Sequence, residues 1–466
     1  MIATRNRICF DPELIRRYDL RAPRYTSYPS ADHFENSFTE KHYRQAAVTS
    51  NEIPIPSALS LYLHIPFCNS LCFFCACNKV VTRRTAVADE YLDHLCQEIQ
   101  LQGALYDGDR DVVQLHLGGG TPTFLTMNQI KRLLQKVDQH FLLSTNPDRE
   151  FSIEIDPRTV IPESLESLKQ LGFNRISLGV QDFDSNVQQA IHRIQSPEAT
   201  LELLQHAKDI GFESINIDLI YGLPHQTSET FNRTLDLLMT TPPDRLSVFN
   251  YAHLPHRFPP QHRIHKKDLP SSEEKLNILE TCIHWLTTAG YSYIGMDHFA
   301  RPEDPLAQAQ LNGTLGRNFQ GYSTHTGCDQ VGLGISSISQ VGACYSQNVK
   351  ELTPYYAVTN RGRLSVYRGF QLSPDDEIRR RVIEQLMCFG RVNLNSALAS
   401  TQNTPETYFA GEFQVLEEMI DDDLLSIDDS NTIEVSPAGR FLIRSICRVF
   451  DVYAAPGSES RYSRLI

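Results

Sequence analysis

Tyr62-Leu-His-Ile-Pro-Phe-Cys68-Asn-Ser-Leu-Cys72-Phe-Phe-Cys75-Ala-Cys77 is the stretch on which the reading of this chain turns. Neither packing nor surface solubility asks for four thiols within ten residues, and thiolates are preferred ligands of iron-sulfur clusters and zinc. The C-x3-C-x2-C spacing of Cys68, Cys72 and Cys75 puts three sulfurs on one short loop that can converge on one face of a cubane. Cys77 follows Cys75 too closely to reach a separate corner. The simplest arrangement is therefore three protein ligands, one iron left open to an outside molecule, and another task for Cys77. Two rivals are weaker. A structural zinc site usually pairs two C-x2-C units a dozen or more residues apart, and no second pair exists here. Disulfides between cysteines this close would need strained local geometry.

Outward from this loop, strand patterns alternate with helical ones for over two hundred residues, which predicts βα units and a parallel sheet. The strands are expected at 59–65, 112–117, 151–156, 175–180, 214–220 and 245–251. Helices are expected at 86–106, 127–141, 162–171, 183–210 in two pieces, 228–240 and 271–289. Thr126-x-x-Gln129 and Ser271-x-x-Glu274 read as helix-opening boxes, and Gly172, Gly211 and Gly290 sit where helices should stop. Six such units make an incomplete (β/α)6 barrel, since the two further repeats of a closed one are not found. The cysteine loop then lies at the carboxyl end of the first strand, where parallel barrels place their chemistry.

The strands also sort their residues by face. In Phe151-Ser-Ile-Glu-Ile-Asp156 the apolar side chains fall on one face and Ser152, Glu154 and Asp156 on the other. The same split groups Arg175, Ser177, Gly179 and Gln181, and groups Asn216 with Asp218. Polar inward faces predict a lumen that holds a ligand. Leu115-His-Leu-Gly118-Gly119-Gly120-Thr121-Pro122 closes the second strand with glycines that admit a ligand close to the backbone. No GxGxxG spacing occurs, so a dinucleotide site is rejected.

Around the barrel, residues 1–50 are expected as an N-terminal extension, with a short helix near Pro12 to Tyr18 and an extended, lid-like Pro23-Arg-Tyr-Thr-Ser-Tyr-Pro29. The barrel domain spans 51–297. Residues from about 298 to 345 are rich in Gly, Ser and Gln, and 298–372 is expected as an irregular segment covering the site. Residues 373–466 are expected as a small, mainly helical, winged-helix-like domain, with Arg379-Arg-Arg381 on a solvated helix face. A net charge of -13 argues against a nucleic-acid partner. No apolar run is long enough to span a membrane, and Met1-Ile-Ala-Thr-Arg-Asn-Arg-Ile-Cys-Phe lacks a signal-peptide core, so a cytoplasmic protein is expected. Cys9, Cys96, Cys282, Cys328, Cys344, Cys388 and Cys447 are scattered without a pairing pattern, in keeping with a reducing compartment.

The cysteine loop resembles that of the radical S-adenosylmethionine (SAM) enzymes. With Tyr62 to Lys79 and Pro23 to Pro29 taken together, nearly the whole chain is similar to the oxygen-independent coproporphyrinogen III oxidase family of porphyrin and haem biosynthesis. The resemblance implies a 4Fe-4S cluster on Cys68, Cys72 and Cys75, two SAM molecules, and a catalytic role for Cys77. Matched motif by motif, it implies SAM contacts from Tyr62, Phe74, Gly119, Gly120, Thr121, Glu154, Gln181, Arg193, Asp218, Ala252 and Ile338. Glu154, Gln181 and Asp218 are also residues that strand alternation places on the polar faces. Ala76, where glycine is usual, and Ser30, where threonine is common, depart from the pattern without removing a ligand or a charge.

The implied reaction is oxidative decarboxylation of two propionates of coproporphyrinogen III to vinyl groups, giving protoporphyrinogen IX. A SAM-derived radical would abstract hydrogen from the propionate β-carbon. The expected partners are this substrate and an electron donor and acceptor that the sequence does not identify, with the chain acting as a monomer. Arg24, Arg301 and Arg317 are the candidate clamps for substrate carboxylates, since Arg suits bidentate carboxylate recognition. The alternative is the haem-binding chaperone branch of the superfamily, whose members typically lack the cysteine matching Cys77 and the N-terminal segment. A more distant rival is an iron-sulfur regulatory protein without turnover.

Overall fold

The computed structural model describes residues 8–19 and 21–454. Residues 1–7, part of the stretch read for a leader, lie outside the described residues, as do 455–466 at the end of the expected C-terminal domain. The chain forms two compact units, one of Phe34–Pro270 with Gly327–Gln371. The other joins the chain up to His33 with Ser271–Thr326 and the chain from Leu372 onward.

In the first unit, parallel strands β1 (Leu59–Ile65), β2 (Asp111–Gly119), β3 (Glu150–Ile155), β4 (Arg175–Gln181), β5 (Ser214–Tyr221), β6 (Arg245–Asn250) and β7 (Asp329–Leu333) stand in the order β6-β5-β4-β3-β2-β1-β7. Helices Ala86–Gly103, Met127–Asp138, Pro162–Gln170, Ser185–Ala190, Pro197–Asp209 and Ser228–Leu238 connect β1 to β6. Their starts are locally written. The Thr126 hydroxyl accepts the Gln129 N–H at 3.2 Å and the Thr227 hydroxyl accepts that of Thr230 at 3.2 Å, filling donors that a helix start leaves open. Period-two alternation sets the faces: Leu59, Leu61, Leu63 and Ile65 are at most 1% exposed, while Tyr62 between them stays partly open. Each buried Leu or Ile contributes about 1.5–3 kcal/mol, which pins the strand's register.

The segment 298–372 is not the irregular cover expected. Residues up to 326 belong to the second unit, and the remainder builds β7 and then β8 (Ile338–Val341), β9 (Cys344–Asn348) and β10 (Val366–Gln371), an antiparallel run beside β7. β7 and β9 are buried at every position, and their polar residues, Asp329-Gln330 and Ser346-Gln347-Asn348, are consecutive, so neither shows the alternation that marks a strand in sequence. Because β7 is followed by these strands and not by another βα repeat, the barrel is incomplete.

The second unit holds helices Pro12–Tyr18, Ser272–Thr288, Pro374–Phe389, Ala410–Asp421 and Ile443–Val449 and an antiparallel sheet of Arg391–Asn393, Thr432–Val435 and Leu425–Ile427. Helix Ser272–Thr288, which follows β6 in sequence, thus falls in this unit. Tyr18, Tyr25, Tyr28, Leu276, Val382, Leu386, Leu416, Ile433 and Ile446 share its core. The lid-like segment is therefore anchored by its aromatics, with Tyr25 donating to Asp451 at 3.0 Å. In the arginine run Arg381 is exposed as expected, but Arg379 is not. Arg379 is 7% exposed and meets Asp375 at 2.9 Å and Glu412 at 2.7 Å, because a buried guanidinium needs carboxylates to offset its lost hydration. Among the described residues no helix is long and apolar enough to cross a membrane.

Candidate active site: a cysteine loop over a polar lumen

After β1 the chain turns at Pro66 into the cysteine loop, which is closed at its neck. Phe67–Cys68 pairs in parallel with Val80–Val81, Val80 N–H donates to the Pro66 carbonyl at 2.7 Å, and Thr82 N–H donates to that of Cys68 at 2.9 Å. Lys79 Nζ reaches back to the carbonyls of Cys75 and Cys77 at 3.1 and 3.3 Å. Phe74 packs beside Val187, Ile191, Leu223, Tyr251 and Ile264, and its carbonyl accepts Gln261 Nε2 at 3.0 Å.

Donors converge on the thiols. Thr121 Oγ1 lies 3.4 Å from Cys68 Sγ, and Arg158 Nη2 and Arg193 Nη1 lie 3.7 and 3.6 Å from Cys72 Sγ. Both guanidinium groups are fixed by one carboxylate, Asp156, at 2.6 and 3.0 Å. Burial works against that charge, yet Arg158 and Arg193 hold the Asp156 carboxyl below its ordinary range. Burial pushes the Cys68 thiol up to about 11, whereas the hydrogen bond from Cys77 and the Lys79 ammonium hold Cys75 down to about 6. Cys77 itself is exposed.

The glycine turn at the end of β2 is required by crowding. Gly119 has φ 119°, and a Cβ there would stand 2.7 Å from the His64 ring, while one on Gly120 would stand 2.6 Å from the Pro66 carbonyl oxygen. Gly119 N–H donates to Glu154 Oε2 at 3.2 Å, so the turn and β3 are joined through the carboxylate.

The lumen faces form a hydrogen-bonded layer across β1, β2 and β3. Tyr62 pairs in register with His116, and His116 with Ser152. The Tyr62 and His116 rings stack at 5.8 Å, His116 Nδ1 lies 2.6 Å from Ser152 Oγ, and its Nε2 lies 3.3 Å from Glu154 Oε1. Glu154 keeps 43% of its side chain open although it sits mid-strand, as a group facing a lumen does. Burial would raise its pKa, but His116 and the Gly119 N–H hold it below the ordinary carboxylate value. Further round, Asp218 accepts the Ser177 hydroxyl at 2.9 Å and Asn216 Nδ2 at 2.8 Å. Burial and the charge of Glu154 push its pKa up to about 6.

The structure thus gathers Tyr62, Gly119, Gly120, Thr121, Glu154 and Asp218 around the loop and lumen. Gln181 ends β4 in the left-handed region at φ 69°, a strain usually met at functional positions. Ala252 follows β6 and Ile338 opens β8, and both stay partly open. Arg193 is 6% exposed and is taken up by Asp156, Cys72 and the Gly179 carbonyl at 2.5 Å. The three candidate substrate arginines fall in the second unit. Arg24 pairs with Asp297 at 2.6 Å, Arg301 with Glu303 at 2.8 Å, and Arg317 donates to the carbonyls of Tyr25 and Arg24 at 3.3 Å each. Sequence reasoning missed His64, His116 and Arg158. Alternation could have found the two histidines, which share strand faces with Tyr62 and Gly118; nothing local marks Arg158.

The donor set fits an iron-sulfur cluster. All the candidate ligands are thiols, with N–H and O–H groups directed at two of them, a common means of tuning such clusters. Among the described residues no three His, Cys, Asp or Glu side chains gather tightly enough for a single metal ion. A cubane instead takes its thiolates on separate corners.

Residues 62–238 match the family model described as Radical SAM superfamily, and residues 372–442 match the HemN C-terminal domain. The oxygen-independent coproporphyrinogen III oxidase of Pseudomonas aeruginosa is 46% identical over 459 residues, covering 98% of this chain and 99% of that one. The protein of the same name from Escherichia coli K12 is 48% identical over 460 residues, again covering 98% and 99%. A solved structure described as coproporphyrinogen III oxidase (HemN) from Escherichia coli, a radical SAM enzyme, superposes with a TM-score of 0.90 at 47% identity, covering 96% of this chain and 100% of that one. With relatives this similar over nearly their whole length, and with the three-cysteine loop seated at the head of β1, the chain belongs to the oxygen-independent coproporphyrinogen III oxidase family of the radical SAM superfamily.

Proposed function

We propose that this chain is an oxidoreductase that decarboxylates two propionates of coproporphyrinogen III to vinyl groups, giving protoporphyrinogen IX in the cytoplasm. The observation that carries the reading is the cysteine loop at the carboxyl end of β1, facing Gly119–Thr121 and the Glu154 carboxylate across a polar lumen. When bound, the 4Fe-4S cluster and SAM of this superfamily supply one-electron cleavage chemistry that ends in hydrogen abstraction from substrate.

The chain's own residues do the rest. Cys68, Cys72 and Cys75 would hold three irons, and Cys77 stays free of the cluster to serve turnover. Asp156 aims Arg158 and Arg193 at the Cys72 sulfur. The side-chain-free turn at Gly119 and Gly120 leaves backbone room for the methionyl end of SAM. Tyr62, Phe74, Thr121, Glu154, Gln181, Asp218, Ala252 and Ile338 are the proposed walls for SAM, taken as two molecules because two propionates react. Arg193 contributes by way of the cluster loop, given its partners. Arg24, Arg301 and Arg317 are the proposed carboxylate partners of the substrate. Arg317 is the best placed for this by its own bonding, since its Nη1 is buried without a partner.

Anoxically reconstituted protein, given reductant, SAM and coproporphyrinogen III, is expected to yield protoporphyrinogen IX together with 5'-deoxyadenosine. Stoichiometric haem retention without any vinyl product would overturn the reading.

A further inference from the structure

The chain carries a net charge of -13, yet the run from Arg245 to Lys267 contains no aspartate or glutamate and ends on His262-Arg-Ile-His-Lys-Lys267. His262, Arg263, His265, Lys266 and Lys267 are all exposed. This cationic run is fastened to the cysteine loop. Gln261 holds the Phe74 carbonyl at 3.0 Å, and the Arg263 guanidinium stands 5.0 Å from the centre of the Phe73 ring. The same ring stacks on exposed His192 at 4.9 Å and an interplanar angle of 10°, and the next residue but one, Ile194, is 66% exposed. Beside the loop that bears Cys72 and Cys75 there is thus a rim of cations with an open aliphatic side chain at its edge.

We propose that this rim is the docking face for an acidic one-electron carrier protein that reduces the cluster. The proposal rests on the reading of Cys68, Cys72 and Cys75 as cluster ligands. In the step the carrier is oxidised by one electron and the cluster is reduced by one; no proton or group moves. Electrons cross proteins efficiently only over short distances, so the carrier must sit against the loop. A cationic border on an otherwise acidic protein selects an acidic partner and orients it. Electron-transfer complexes are small and weak, so a rim of this extent is enough.

The test compares the full-length holoenzyme with its Lys266→Glu/Lys267→Glu variant, using plant-type ferredoxin as the acidic probe. Association of oxidised ferredoxin is followed by anisotropy, and bleaching of the cluster by reduced ferredoxin is followed by stopped flow. At low salt the variant is expected to associate and bleach ~10-fold or more weakly, and the difference should vanish near 0.5 M salt, roughly where screening removes steering. Reduced methyl viologen, a small cation, should bleach both proteins without any slowing of the variant. The docking face is overturned if ferredoxin treats both proteins alike, or if the variant slows the viologen as much as the ferredoxin, which would mean a damaged loop. It is also overturned if association is unchanged while the KM for coproporphyrinogen III rises, which would assign the run to substrate. A protein that no reductant bleaches would refute the cluster reading, and the association measurement would still decide the docking face.

Discussion

Replacing Asp218 by asparagine should make the protein more stable at neutral pH while it loses its ligand. The rise of the Asp218 pKa from 3.8 to about 6, at ~1.4 kcal/mol per pH unit, means that ionising it in the fold costs roughly 3 kcal/mol more than in the unfolded chain. The folded value is the higher one, so the carboxyl's contribution to stability is fully present below its unfolded pKa and is lost as pH rises through about 6. Asp218→Asn removes the charge, but the Ser177 hydroxyl, now a donor to Oδ2 at 2.9 Å, must turn to accept from the new amide, at a cost of roughly 1 kcal/mol. The variant should therefore be more stable by about 2 kcal/mol near pH 8, equal to the parent near about pH 4.5, and less stable by about 1 kcal/mol in stronger acid. Urea unfolding of cluster-free protein, followed by far-ultraviolet circular dichroism across this range, reads the difference directly. SAM binding should fall in the same variant, because the acceptor pair in the lumen is gone. A stability difference that stays constant with pH would refute the burial of charge at this position.

Gly120→Ala sets a methyl group 2.6 Å from a backbone oxygen that cannot swing aside, so it should cost about 1–3 kcal/mol and lower the iron content after reconstitution. Cys77→Ser should keep its iron and lose turnover, whereas Cys72→Ser should lose both; equal iron loss in the two would sink the three-ligand assignment. Arg158→Met leaves Asp156 paired with Arg193 alone and removes a cationic donor 3.7 Å from the Cys72 sulfur. Its cluster should then be harder to reduce, seen as a more negative midpoint in a redox titration, and an unchanged midpoint would show that the contact is only structural.

What the sequence by itself determined is what repeats within a few residues. The C-x3-C-x2-C spacing, the two-residue alternation that turns Glu154 and Asp218 to the polar faces of their strands, and Thr126 and Ser271, which open helices, are all written locally, and the fold follows them. What only the tertiary structure decided depends on partners far away in the chain. Arg158 and Arg193 meet the Cys72 sulfur across 86 and 121 residues, and Arg379 finds Glu412 instead of solvent. β7 and β9 were illegible for a related reason. Both strands are buried at every position and their polar residues stand side by side, Asp329-Gln330 and Ser346-Gln347-Asn348, so no two-residue alternation is visible and only their neighbours in the sheet make Asp329–Leu333 and Cys344–Asn348 strands at all. Local pattern sets which face a side chain takes, and the packed chain sets what waits there.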